Sequence, residues 1–439
     1  MTVCTTEFAS LARQEATALG MPDLTLSVIS HPLGGIEESQ VQAKATQAID
    51  DIVNRLTLEA RETGSEAEVA PSSRYLCRDD VCVYVPTWQQ SEAISTLRVG
   101  DSLEEANEAF YARHWTDGLP IVPPTRERVD CMLQAVKQHP QQVIGVLPPR
   151  NGLATVEAIA INAVMAGCLP AYLPVLLTAV EIMAEPRFNL YGVQATTGPH
   201  APLVIVNGPV VKELGFNFGH GAFGPGWRAN ATVGRAIRLM LLNIGGATPG
   251  TVDKATQGQP SKYAFCIAEN EEANPWEPLH VERGFPRDAS TVTVIAGEAN
   301  HNVNEHVNTT ARGVLTTIVD TMATMGTAKL YRTSSESLIL LCPEHAQIIA
   351  KDGWTKGDIR RFILETGRRP FGAIKRGGMF GAHGYWPKWV DTSDDATMVP
   401  MHENAEDIVI VVVGGAGRHS SFIPTWGQSR SMTRRIPQV

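Results

Sequence analysis

The sequence predicts a mixed α/β protein: an incomplete N-terminal parallel α/β half-domain followed by a large mixed α/β domain. Two observations carry this reading. The first 61 residues alternate β-rich runs with amphipathic helical runs, the order of a parallel α/β sheet. Beyond residue 100, apolar β-branched runs alternate with helical patterns, and no fixed period is visible that would indicate a solenoid or propeller.

In residues 1–61, Thr2–Thr5 reads as a strand. Glu7–Leu19 follows with Phe8, Leu11, Ala12, Ala16 and Leu19 at helical spacing, and Gly20 stops it. Leu24–Ile29 is a second β-rich run. Val41–Leu56 is helical, with Ala45, Ile49, Ile52, Val53 and Leu56 on one stripe. Two strands and two helices cannot close a core, so this half-domain is expected to lean on the rest of the chain or on another polypeptide. Residues 62–100 read as a polar linker, Glu62–Ser73, and then Tyr75–Val85 as two short strands around Arg78-Asp79-Asp80. Cys77 and Cys82 would face one another there, either as a redox pair or as incidental hairpin residues.

Residues 101–439 read as the large α/β domain expected to carry the active site. Helical patterns fall at Thr155–Ala166, Leu173–Met183, Thr232–Asn243, Ala311–Thr324, Glu344–Ala350 and Thr355–Thr366. Leu203–Val206, Thr291–Ala296, Leu338–Leu341 and Ile408–Val413 have the apolar, β-branched look of buried strands. Arg430, Arg434 and Arg435 are expected in a solvated tail.

Composition limits the partners. A chain of 439 residues, 43% hydrophobic and 19% charged, has the balance of a globular protein. A formal net charge of -9 argues against nucleic acid or an anionic membrane as main partner, because both need a basic face. The longest apolar runs fall well short of the ~20 residues a membrane span requires, and no signal-peptide pattern opens the chain. The cysteines number 7, odd and scattered, which fits free thiols in a reducing, cytoplasmic compartment.

Four loops carry more Gly, His, Asn and Glu than a connection needs. The first runs from Gly219 to Thr232. Its glycines admit close backbone approach, Asn230 or Thr232 would cap the helix that follows, and His220 and Arg228 would contact an anion there. It has no Walker A sequence. In the second, Cys266 lies three residues before Glu269, with His280 and Glu282 a short loop beyond. That set suits a nucleophile with acid–base partners, although a buried thiol and an ordinary Glu282–Arg283 ion pair would equally suit the residues. The third, Glu298-Ala-Asn-His-Asn-Val-Asn-Glu-His, places His301 and His306 five apart; a polar pocket lined by Asn300, Asn302 and Asn304 is the preferred reading, and no metal site is assigned. The fourth, Gly414-Gly-Ala-Gly-Arg-His-Ser-Ser, follows a strand as ligand-binding turns do in α/β sheets, offering Arg418, His419 and Ser420 to an anion or carboxylate. His31-Pro-Leu-Gly-Gly repeats the layout after Leu24–Ile29. No cofactor is specified by these patterns.

Together these stretches resemble the UGSC-type (seleno)protein family. The resemblance is carried by Trp115-Thr-Asp-Gly-Leu-Pro-Ile-Val-Pro-Pro-Thr, Ala160-Ile-Asn-Ala-Val-Met-Ala-Gly-Cys, Gly192-Val-Gln-Ala-Thr-Thr and the Gly219–Arg235 loop. Asp253-Lys-Ala-Thr-Gln-Gly-Gln-Pro, Cys266–Glu272, Trp276–Phe285 and Gly414–Ser420 carry it further. The N-terminal stretch, with His31-Pro-Leu-Gly, is also similar to the B selenoprotein subunits of glycine, sarcosine and betaine reductases. The resemblance implies thiol or selenol chemistry, in which a selenocysteine or cysteine of a U/C-G-S-C motif attacks the substrate and the following cysteine resolves the adduct. This sequence contains no C-G-S-C. The expectation is therefore a gene model restarted past a selenocysteine codon, or a separate motif-bearing polypeptide, ahead of a version without redox chemistry.

The expected function is an oxidoreductase, or its large subunit, acting on a small polar or anionic molecule. Cys266, Glu269, His280 and Glu282 are its candidate catalytic groups; His220, Arg228, Asn230, Arg418, His419 and Ser420 its candidate substrate contacts. The rivals are a hydrolase or lyase using the same pocket, and a non-catalytic ligand-binding subunit of a larger enzyme. An oligomer is expected.

Overall fold

A computed structural model describes residues 1–34, 36–57, 74–78, 81–85, 96–100, 102–324, 326, 335–376, 386 and 388–437. At the N-terminus β1 (Thr2–Thr5), α1 (Ala9–Ala18), β2 (Leu26–Ile29) and α2 (Glu38–Thr57) follow the expected order, with β1 and β2 parallel and Thr2 opposite Leu26. The stripe on α2 is not packed as its pattern suggests. Ala48 is buried, whereas Ile49, Val53 and Leu56 are exposed. Next come β3 (Arg74–Arg78) and β4 (Val81–Val85), antiparallel, with the backbone of Cys77 opposite that of Cys82. Their side chains and the Asp79-Asp80 turn lie outside the described residues.

The remaining chain continues with α3 (Leu103–Tyr111) and α4 (Arg126–Leu133), then the hairpin β5 (Val143–Leu147) and β6 (Gly152–Thr155). There follow α5 (Val156–Ala166), α6 (Leu173–Met183), α7 (Leu190–Ala195), β7 (Ala201–Asn207), α8 (Val210–Glu213) and α9 (Arg228–Asn243). Then come β8 (Cys266–Ala268), α10 (Leu279–Glu282), β9 (Thr291–Gly297), β10 (His301–Asn304) and α11 (Ala311–Met322). The chain ends with β11 (Ser337–Leu341), α12 (Pro343–Lys351), α13 (Lys356–Thr366), β12 (Arg368–Pro370), α14 (Phe371–Arg376), β13 (Met398–Pro400), β14 (Ile408–Val412), β15 (His419–Pro424) and β16 (Met432–Arg435). Start signals sit where the physics requires them: Thr155, Thr310 and Thr355 each accept a backbone N–H as side-chain caps of α5, α11 and α13.

Two four-stranded mixed sheets form the centre, one ordered β16-β9-β7-β8 and the other β10-β15-β11-β14. In both, alternate residues point to opposite faces. Leu203, Ile205 and Ile295 of the first sheet meet Leu338, Leu340, Val409 and Val411 of the second in one apolar cluster. Val204, Val206, Val292 and Val294 point the other way and pack with residues of α5, α6 and α9. Ile339, Leu341, Ile408 and Ile410 pack outward with residues of α11, α12 and α13. The result is four layers: helices, sheet, sheet, helices.

Three elements depart from the sequence reading. His301–Asn304 is a strand paired with β15, not a loop, and His419 already begins β15. The arginine-rich tail is β16, paired with β9; Arg434 meets Glu185 and Arg430 meets Asp407, so opposite charges hold it down. β10 and β16 are short and polar because they lie at sheet borders, which hides them from a pattern search.

Candidate functional site

The parallel strands β7 and β8 of one sheet and β11 and β14 of the other bring their carboxyl ends together. The Asn270 backbone N–H donates to Val412 O at 2.8 Å and its side chain donates to Gly414 O at 3.1 Å, joining the two sheets there. Gly414 N–H donates to Phe218 O at 2.8 Å, which adds the glycine loop before α9 to the same edge. A crevice bordered by the carboxyl ends of strands is where α/β sheets present ligand groups.

The centre of this edge is a pair of carboxylates bridged by one amide. Asn207, the last residue of β7, donates through Nδ2 to Glu269 at 2.6 Å and to Glu271 at 3.0 Å. Glu269 is buried and also accepts from Asn274 Nδ2 at 2.8 Å and from Leu279 N–H at 2.8 Å. Burial pushes its pKa up, with Glu271 adding to the rise, against the opposing pull of Lys356 and these donors. Glu271 is half-buried and accepts the Gly208 N–H at 2.7 Å. The ring of His280, fully buried, brings Nδ1 to 3.7 Å from Glu271, while Nε2 lies 3.3 Å from Arg287 O. A carbonyl only accepts, so Nε2 donates to Arg287 O, while Nδ1 has no hydrogen-bond partner. The set is one carboxyl held toward its neutral form, a second open to solvent, and an imidazole.

The other candidate catalytic residues lie elsewhere. Cys266 points to the helix-facing side of β8, where it is buried and burial drives its thiol pKa up. An acid of that strength gives no thiolate at neutral pH. Nearby Cys168, also buried, is pushed up to about 12. Glu282 turns to α13, bonding Lys356 Nζ at 3.1 Å and pairing with Arg360. Burial acts to raise its pKa, but the two cations outweigh that and hold it low.

The expected substrate contacts also separate. His220 is exposed beside the crevice; its Nε2 lies 3.3 Å from Ala416 N–H, and its ring packs so close to Gly415 that a Cβ there would sit 2.2 Å from it. Arg228 is exposed in the first turn of α9. The helix begins earlier than its pattern suggests, capped at Trp227 without a side-chain bond, so neither Asn230 nor Thr232 is a cap. Asn230 is buried instead, holding Asn217 N–H at 2.8 Å and Asn217 O at 2.9 Å. Arg418 is taken up by Glu305 and the His306 and Asn308 carbonyls. Ser420 is buried against His345 Nδ1 at 2.7 Å, and His345 Nε2 donates to Glu305 O at 2.9 Å. Burial lowers the pKa of His345, so this Ser–His pair is neutral and sealed from substrate.

His419 meets His306, Nε2 to Nε2 at 3.2 Å, and bonds Asn302 Oδ1 through Nδ1 at 3.1 Å. His301, the first residue of β10, is exposed opposite Phe422. Among the described residues no group of three or more His, Cys, Asp or Glu is placed to hold a metal ion, and no helix is long and apolar enough to cross a membrane.

Sequence reasoning missed Asn207, Glu271 and Asn274. Glu271 stands in the same Cys266–Glu272 run as Glu269, and its spacing from Glu269 was the available signal. Asn207 ends a strand, and only topology places it between the two carboxylates.

The sequence profile of the UGSC family matches residues 1–58. The match falls on β1 to α2; the motifs from Trp115 onward lie outside it. No curated protein and no solved structure matches the chain.

Proposed function

We propose, from the UGSC-type match as premise, that this chain is an oxidoreductase, or the large component of one, that binds a small polar molecule at the carboxyl ends of β7, β8 and β14. The observation that carries the reading is the Glu269–Asn207–Glu271 bridge with His280 beside it. A two-electron reduction of a polar bond takes up protons, and a carboxyl held toward its neutral form next to an ionisable, half-open partner is suited to deliver one. The crevice is acid-rich, with Glu269, Glu271 and the exposed Glu272 and Glu344, which favours a neutral polar substrate over an anion. In this reading the thiol or selenol is not Cys266, whose place in the core denies it both access and ionisation.

The test is turnover of small polar electrophiles with a dithiol as reductant, followed as thiol consumption. Glu271→Gln is expected to lower the rate by about 10²-fold or more, the usual effect of removing a general acid or base. Cys266→Ala should retain it. Turnover that continues without the dithiol would move a hydrolase or lyase into first place. Binding with no turnover under either condition would favour a ligand-holding subunit.

A further inference from the structure

We propose that His306 and His419 together bind a divalent first-row transition metal, with the remaining coordination positions left to water or to a polar ligand. The pair stands at the His419 end of the Gly414–Ser420 turn, whereas the Glu269–Glu271 crevice is joined to its Gly414 end through Asn270. The proposal therefore does not rest on the reading above.

The distance between the rings is that of two ligands on one ion. Their Nε2 atoms are 3.2 Å apart, and the rings, inclined at 72° with centroids 4.9 Å apart, meet at these atoms instead of stacking. An imidazole nitrogen sits about 2.0–2.1 Å from a bound zinc ion, so two of them are separated by about 2.9 Å at a right angle and about 3.3 Å at a tetrahedral angle. The observed separation falls between these limits.

The tautomers also suit a metal. His419 Nδ1 lies 3.1 Å from Asn302 Oδ1, an acceptor, so Nδ1 carries the proton and Nε2 keeps its lone pair toward His306. A ring that donates from its other nitrogen to a fixed oxygen is the usual form of a metal-ligating histidine. Both residues are exposed, so solvent can hold the proton of His306 on Nδ1 and leave its Nε2 free to ligate. Without a metal, the same contact is one N–H···N bond between two wet rings, which contributes little against water.

The fold brings the rings together before an ion arrives. Pairing of β10 with β15 sets Asn304 opposite His419, and Arg418 Nη1 donates to His306 O at 2.7 Å. Ordering the ligands in advance lowers the cost of binding. Arg418 and Glu305, the neighbouring charges, lie 3.2 Å apart and offset one another, and the net charge of -9 favours a cation. Two protein ligands leave positions open, as catalytic metal sites do and closed structural sites do not. Imidazole suits Cu(II), Zn(II) and Ni(II), and Cu(II) binds tightest in this series, which makes it the probe.

The experiment titrates the full chain with Cu(II), up to one equivalent in a non-coordinating buffer, and reads the bound ion by electron paramagnetic resonance. The spectrum is expected to show nitrogen splitting from two imidazoles. His306→Gln and His419→Gln should each raise the dissociation constant at least tenfold and lower the nitrogen count, with folding checked by circular dichroism. An affinity that both variants keep would assign the copper to other histidines and overturn the proposal. So would a spectrum of the unaltered chain with fewer than two imidazole nitrogens, which decides the matter should a variant fail to fold.

Discussion

At the level of single residues, two positions illustrate how burial redirects chemistry. Cys266 reads in sequence as a nucleophile because Glu269 and His280 are near, but strand alternation sends its side chain into the helix-facing core. It should resist alkylation in the folded chain while the exposed Cys131 reacts, which peptide mass mapping after iodoacetamide treatment would show. Modification of Cys266 as fast as Cys131 would contradict its burial. Glu269 is the counterpart, a charge-capable group kept in the interior. Its folded pKa lies above its ordinary value of 4.5, so the folded state holds the proton more firmly than the unfolded one. The stability this gives is complete below the unfolded pKa and is lost as pH rises through the folded pKa. Glu269→Gln should therefore flatten the decline in stability above about pH 4.5, relative to the unaltered chain, in denaturant titrations across pH. It should also cost roughly 1–3 kcal/mol at low pH, because an amide presents a donor where Asn207, Asn274 and Leu279 all donate. An unchanged pH profile would mean that Glu269 does not titrate abnormally.

At the level of elements, legibility in the sequence follows burial. The interior strands β7, β9, β11 and β14 announce themselves as uninterrupted apolar runs, because a second sheet covers one face and helices cover the other. The edge strands β10 and β16, and the interior strand β15 that opens on His419-Ser-Ser, mix polar and apolar residues and read as loops or tail. The acid–base pair was half legible for the same reason. Glu269 and His280 sit in one run of residues, whereas Asn207 joins them only through β7–β8 pairing. The docking of α13 on α10 shows what such long-range placement contributes. Lys356, buried, bonds Glu282 at 3.1 Å and the Glu277 carbonyl at 2.8 Å. Removing one partner of a buried pair strands the other, so Lys356→Met should cost about 3–5 kcal/mol in a denaturant melt. Glu282 has a folded pKa below 4.5, so its contribution is present above that value and disappears as pH falls through the folded pKa. Glu282→Gln should accordingly remove stability at neutral pH and little below that range. A loss that is the same at acid and neutral pH would assign the effect to packing and not to charge.

At the level of the whole molecule, the four layers divide the buried surface unevenly between the two ends of the chain. Among the described residues, the buried members of the four core clusters all lie at or after Ile121. Among its described residues, the UGSC-matched segment buries only the apolar side chains of Leu11, Ala16, Leu26 and Ala48, and leaves Val3, Val28, Ile49, Val53 and Leu56 exposed. Its sheet has two strands, too few to stand alone in water. The expectation drawn from packing, that this half-domain cannot close a core, thus has a physical counterpart in the exposed stripe of α2. A contact that does reach the larger domain is electrostatic: Glu15 of α1 helps raise the pKa of Tyr191, after burial, to about 12. Since the cores of the four-layer domain owe nothing to residues 1–57, a fragment spanning 102–439 should fold without them. Its melting temperature should lie within about 1 °C of the main transition of the full chain, less than 1 kcal/mol would move a domain of this size. Leu340→Ala, between the sheets, serves as the reference for a true core lesion and should cost roughly 2–5 kcal/mol in either context. A fragment that melts far lower, or that loses the cooperative transition, would place the UGSC-matched segment inside the folding unit despite its sparse core.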